Sequence, residues 1–211
     1  MKPKRPRILI LNAALSGEAG NTAVALEKVR GALVRGKKAE VRVVTLVGDD
    51  DGAGGSGVAV GEKRARGFAE VKAELGWADA VVFGTGTHWD SWSSVLQNFL
   101  EDATETEGTK LWFGKPAACV VTEHSVGGKG VLSRLQGVLV TLGCEIPPMS
   151  GVVLSKVAQM ARAHEPEEAG DFWGEDDLKI VAHNLVEAAK GTRRWKAWAV
   201  DREDFAKRWM E

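Results

Sequence analysis

The chain predicts a three-layer α/β fold, a doubly wound sheet of five parallel strands in the order 2-1-3-4-5 with helices on both faces. Three observations carry the prediction. Apolar runs of strand length recur along the sequence, most of them closed by loops of small residues. Stretches with apolar residues at helical spacing separate them. The two textures alternate along the whole chain, and parallel neighbours need right-handed crossovers that place helices on both faces.

Taken in order, Arg7 to Asn12 is the first strand, a continuous apolar run of the kind covered on both sides. Val29 and Leu33, four apart, mark the first helix. Glu40 to Leu46 is the second strand. The segment Gly48 to Gly61, with three consecutive aspartates and five glycines before Gly61, reads as a mobile loop, because it has too little apolar surface to order itself. Phe68, Val71 and Leu75 define the second helix, and Ala80 to Gly84 the third strand. A helix beginning near Ser93 follows, with Val95, Phe99 and Ala103 on one face. Ala117 to Thr122 is the fourth strand, and Val131, Leu135, Val138 and Leu142 form the next stripe. The fifth strand, Glu145 to Val153, is interrupted by Pro147-Pro148, and Leu178, Val181, Leu185 and Ala188 mark the last helix. Residues 1–191 thus form one domain, and residues 192–211 a Trp-rich helical extension carrying Trp195, Trp198, Phe205 and Trp209. That tail packs back on its own domain or forms a subunit contact, since aromatic side chains are enriched in interface cores.

Composition narrows the function classes. Apolar residues make up 44% and charged residues 27%, values of an ordinary globular protein. The net charge of −1 gives no field to recruit nucleic acid or an anionic membrane. The basic cluster Lys2, Lys4, Arg5 and Arg7 precedes no apolar stretch long enough for a signal peptide or a membrane span, so a cytoplasmic protein is expected. Cys119 and Cys144 lie in apolar surroundings and read as buried reduced thiols, and no metal site is expected.

In an open doubly wound sheet the ligand crevice lies beyond the carboxyl ends of the strands. Three loops leave strand ends there. The first, Asn12 to Thr22, runs directly into a helix whose N-terminal N–H groups suit a phosphate, with Ser16, Asn21 and Thr22 as polar partners. Alternatively Asn21 or Thr22 only caps that helix. The second, Thr85 to Trp92, places Gly86, Thr87, His88, Trp89, Asp90 and Ser91 as a flat amphipathic wall for a planar heteroaromatic ring, with Trp92 as a core plug. In the third loop, Glu123, His124, Ser125 and Val126 lead to Gly127-Gly128, where the backbone can approach a ligand closely. His124 is equally a surface histidine without a role, and neither it nor His88 has a carboxylate or cysteine at ligand spacing.

On these residues the chain resembles the flavodoxin-like NAD(P)H-dependent FMN reductases. The first loop is similar to that family's Asn-Gly-Ser-Pro-Arg…Gly-Asn-Thr turn. Phe83-Gly84-Thr85-Gly86-Thr87-His88-Trp89-Asp90-Ser91 with Gln97-Asn98-Phe99-Leu100 resembles its Phe-Gly-Thr-Pro-Thr-Tyr-Trp-Gly-Ser…Lys-Asn-Phe-Ile segment. Gly114-Lys115-Pro116-Ala117-Ala118 and Gly127-Gly128 resemble its fourth strand and third loop. The resemblance covers Arg7 to Gly151 and extends to flavodoxin-like quinone reductases. It implies FMN phosphate contacts at Ser16, Asn21 and Thr22, isoalloxazine contacts from Gly86 through Ser91, and ribityl or ring contacts from Glu123 to Gly128. It also implies NADPH or NADH as reductant, a small-molecule acceptor, and a homodimer or tetramer whose flavin pocket a neighbouring subunit completes.

The departures are as informative. Ala13-Ala14 stands where the family turn has Gly-Ser, and no arginine follows. One lost hydrogen bond to a charged phosphate is worth about 1.5–3 kcal/mol. Gly86 replaces proline, and Asp90 replaces glycine, placing a carboxylate near the flavin or in solvent. Two functions follow as expectations: an FMN-dependent oxidoreductase passing hydride from NAD(P)H to a flavin, quinone or similar acceptor, favoured by the ring loop, or an electron carrier or binding protein with a degenerate flavin site, favoured by the altered turn.

Overall fold

A computed structural model describes residues 5–49, 63–164, 172–191 and 195–196. Five parallel strands form its main sheet: β1 (Arg7–Asn12), β2 (Glu40–Thr45), β5 (Ala80–Gly86), β6 (Ala117–Glu123) and β7 (Gly151–Ser155). They lie in the order β2-β1-β5-β6-β7, which in sequence order of the five is 2-1-3-4-5. Leu9 and Leu11 face one side and Ile8 and Ile10 the other, and all four are fully buried, which explains the unbroken apolar run.

Helices α1 (Asn21–Val34) and α6 (Asp177–Lys190) cover the Ile8 and Ile10 face through Leu26, Val29, Leu33, Val181 and Leu185. Helices α2 (Phe68–Trp77), α3 (Ser94–Asp102) and α4 (Gly128–Leu142) cover the other through Phe68, Leu75, Phe99, Leu135 and Leu139. At the centre of that second layer sits Trp112, fully buried, with its ring centroid 6.2 Å from Phe68 and 6.5 Å from Phe83.

Three details differ from the sequence expectation. The last strand starts at Gly151; Glu145 makes only an isolated bridge to Pro116, because Pro147 and Pro148 have no N–H for a ladder. A two-stranded antiparallel ribbon brackets the expected Gly-rich loop, β3 (Val47–Asp49) overlapping its start and β4 (Lys63–Ala65) following its end, while residues 50–62 lie outside the described part. A further helix, α5 (Lys156–His164), follows β7.

Both cysteines are buried, and burial pushes the Cys144 thiol up to about 12 and that of Cys119 higher still, so both stay protonated near neutral pH. Among the described residues no helix is long and apolar enough to cross a membrane. Trp195 lies against Gly114 beside a cleft of about 400 Å³ lined by Phe113, Val140 and Ile146, at the end of the sheet opposite the three loops. The other tail aromatics, Trp198, Phe205 and Trp209, lie outside the described residues.

Candidate functional site

The first loop is held by Asn12 at the end of β1. Its Oδ1 accepts the amide of Ala14 at 3.2 Å, an Asx turn, and its Nδ2 donates to the Gly17 carbonyl at 2.9 Å. Gly17 has φ +58°, and a Cβ there would lie 2.7 Å from the Val47 carbonyl oxygen, so glycine alone lets the ribbon press against the turn. Ser16 packs against Gly20, the N-cap of α1, and no side chain caps that helix or places a carboxylate in its first turn. Neither Asn21 nor Thr22 is therefore the cap. Thr22 is buried, and its hydroxyl is 2.7 Å from that of Thr122 on β6.

In the second loop a tight turn forms: His88 and Ser91 exchange backbone hydrogen bonds of 2.7 and 2.9 Å, and Trp89 and Asp90 between them have φ of +49° and +56°. Two consecutive positive φ values are those of a type I′ turn, which normally takes Asn or Gly. Trp89 is fully exposed at its tip, while His88 folds back so that its Nε2 lies beside Gly86. The Ser93 hydroxyl, buried, donates to the Ala13 carbonyl and caps α3 by accepting the Leu96 amide, so it ties the first loop to the second. Trp92 is partly buried against the core, and its Nε1 donates to Gln97 at 2.8 Å.

The third loop opens α4. The Glu123 carboxylate accepts the Gly128 amide at 2.5 Å, so it caps the helix. Gly127 has φ +94°, and any Cβ there would collide with the Asp90 carboxylate. Asp90, though exposed, therefore holds its carboxylate against the positive end of α4, and Arg134 donates to its carbonyl oxygen. His124 and Val126 are exposed; the His124 carbonyl accepts the Val157 amide at the start of α5.

The three loops thus meet at the carboxyl edge of β1, β5 and β6, and with them all the expected site residues: Ser16, Asn21 and Thr22 on the first, Gly86 to Ser91 on the second, and Glu123, His124, Val126, Gly127 and Gly128 on the third. Asn12, Ser93 and Thr122 are positioning residues that the sequence reading did not single out. Asn12, an Asx residue at a strand end, and Ser93, a serine at the start of a helical stripe, carried local signals, and Thr122 did not.

The model of the NADPH-dependent FMN reductase family matches residues 6–159. The chain belongs to that family. It is accordingly an FMN-dependent oxidoreductase, with FMN as cofactor and a reduced nicotinamide nucleotide as reductant. No curated protein matches the chain significantly. Solved structures show the same flavodoxin-like fold. RosB, crystallised with 8-demethyl-8-formylriboflavin-5'-phosphate, is 17% identical, with 97% of this chain and 95% of that one covered and a TM-score of 0.63. An oxidoreductase from Corynebacterium diphtheriae is 17% identical, with 88% and 97% covered and a TM-score of 0.60. The apo form of the NADH:FMN oxidoreductase EmoB is 17% identical, with 88% of each chain covered and a TM-score of 0.59.

The residues present suit the family's cofactor. The uncapped first turn of α1 leaves N–H groups for a phosphate. In the ring loop the Thr87 hydroxyl is buried with no hydrogen-bond partner, which asks for an acceptor or donor from outside the chain.

Proposed function

We propose that this family member takes hydride from NADH or NADPH onto FMN and passes two electrons to a small acceptor, a flavin, a quinone or a similar compound, bound in the same place. FMN, when bound, supplies the hydride acceptor and donor chemistry. The observation that carries the reading is the ring loop: the partnerless Thr87 hydroxyl stands at its base and the exposed Trp89 at its tip, over the carboxyl end of β5. Ser16, Asn21 and Thr22 would seat the phosphate, with Gly86 to Ser91 against the ring. Glu123, His124, Val126, Gly127 and Gly128 would border the ring and ribityl chain. His88 and His124, on the second and third loops, are the candidate proton donors to a quinone, and the hydride step itself needs no protein acid.

Asp90 brings the ring loop against the Gly127-Gly128 loop, and on this reading donor and acceptor share one stacking place between them and alternate. Steady-state turnover of FMN-loaded protein with ferricyanide or a quinone should give parallel lines in double-reciprocal plots. Anaerobic mixing with excess NADH or NADPH should bleach the flavin absorbance. If neither nucleotide does so over minutes, the reductase reading fails. An electron carrier or a degenerate flavin site would then replace it, a reading favoured by Ala13-Ala14 and by the engagement of the Thr22 hydroxyl with Thr122.

The same rim supports self-association as a homodimer or tetramer: Trp89 is fully exposed and Val126 three-quarters exposed beside the ring loop. Sedimentation should find no monomer at micromolar concentration, and Trp89→Ala should shift the distribution toward monomer. A monomer for the wild type would sink this assembly.

A further inference from the structure

Behind the first turn of α1, on the side facing β7, lies a cleft of about 460 Å³ whose polar lining is Asn21, Lys28, Thr122, Glu123, Lys156, Gln159 and Glu175, with Ala25 and Leu154 buried beneath. It opens at the same strand ends as the three loops and shares Asn21 with the phosphate turn. Its charges are not equivalent. Lys28 is paired with Glu175 across the rim. Glu123 is committed to the Gly128 amide at the N-terminus of α4. Glu18, the acidic residue of the first loop, lines a different cleft, on the β2 side of α1 with Ala23 and Glu27. Lys156, the first residue of α5, remains: it is exposed to the cleft and has no ion-pair partner among the described residues. Lys156 and Asn21, the first residue of α1, line the same cleft, so an anion seated at that helix end comes within the field of both.

We infer that Lys156 supplies the cationic partner of the flavin phosphate, reaching through this cleft to the first turn of α1 and replacing what the Ala13-Ala14 turn lacks. The inference rests on the phosphate seat proposed above at Ser16 and Asn21. It gives the altered turn a physical remedy: the helix end and the Ser16 hydroxyl hold the phosphate from one side, and a lysine from another crossover holds it from the far side. A phosphate monoester is divalent near neutral pH, so one ammonium group and a helix N-terminus together come close to neutralising it.

The test compares FMN with riboflavin, which differ only in the phosphate, by quenching of flavin fluorescence on apo protein. Wild type should bind FMN at least about tenfold more tightly than riboflavin. Lys156→Gln should weaken FMN by about tenfold or more while leaving riboflavin within about twofold. Lys156→Arg should restore most of the preference, and Lys72→Gln, an exposed lysine on α2, should change nothing. Equal binding of FMN and riboflavin by wild type would remove the phosphate seat itself and the role of Lys156 with it. A preference for FMN that survives unchanged in Lys156→Gln would leave the seat standing and overturn the assignment of Lys156. So would a variant that loses affinity for NADPH relative to NADH with its FMN affinity intact, because the lysine would then serve the 2′-phosphate of the nucleotide.

Discussion

Trp112→Ala should cost about 3–5 kcal/mol of folding free energy, a large part of what a domain of this kind possesses. The indole is fully buried between α2, β5 and the segment after α3, stacked on Phe68 and Phe83. Its Nε1 donates to the Thr106 hydroxyl at 2.8 Å, which in turn donates to the Ala103 carbonyl. Truncation would leave a cavity where two rings lose their contact face, and a buried hydroxyl without its donor. Trp112→Phe keeps the stacking and should lose less. Denaturant titration of the apo protein reads both values. A loss for Trp112→Ala below about 1 kcal/mol would mean that the layer closes around the gap and that the ring is not its packing centre.

Lys115 should make the protein more stable as the pH rises from about 8 to 10.5. This lysine is buried below the start of β6, where its ammonium donates to the Leu75 carbonyl near the C-terminal end of α2. Burial pulls its pKa down from 10.5 to about 8, with the Arg7 charge pushing the same way and Asp79 opposing. In the unfolded chain the group keeps its ordinary value, so between the two pKa values the unfolded state binds more protons and folding becomes more favourable with rising pH. Below pH 8 the penalty is constant and complete. The difference of 2.5 pH units corresponds to roughly 3 kcal/mol. The two thiols act in the opposite direction in that window, because the unfolded chain releases their protons from about pH 9 while burial keeps them protonated in the fold, so their effect has to be subtracted. The measurement is the unfolding free energy of wild type minus that of Lys115→Met at several pH values. The difference should climb by up to that amount, and parallel curves for the two proteins would count against a desolvated ammonium.

The sheet was legible in the sequence because burial on both faces leaves each strand uniformly apolar, as in Ile8 to Leu11. The main helices were legible from stripes such as Phe68, Val71 and Leu75, all buried. Helix α5 was not, because only Ala158 of its nine residues is buried, so it carries no stripe. Nor was the β3–β4 ribbon, whose three-residue strands are too short to show a period. The candidate site was legible as a place, since the strand ends fix where the loops converge. Which polar groups stay free there was not, because their partners come from far along the chain. Thr22 meets Thr122, 100 residues away, and Ser93 meets Ala13, 80 residues away. The turn of Asp90 toward Gly127 likewise depends on a neighbouring crossover and has no local signature.

The antiparallel ribbon has a consequence for protein engineering. Asp49 pairs with Lys63, so the chain leaves and re-enters the fold at adjacent points, and what is inserted between them has its ends already brought together. Loop-closure entropy grows only with the logarithm of length, about 0.6 kcal/mol for each doubling, so a longer or shorter insert there would alter stability little. The ribbon also rests on the first loop through Gly17 and the Val47 carbonyl. A peptide tag, a fluorophore or a small domain grafted between those two residues would therefore sit beside the first loop, the proposed phosphate seat, while leaving the five-stranded sheet intact, a port through which the occupancy of that seat can be reported or restricted.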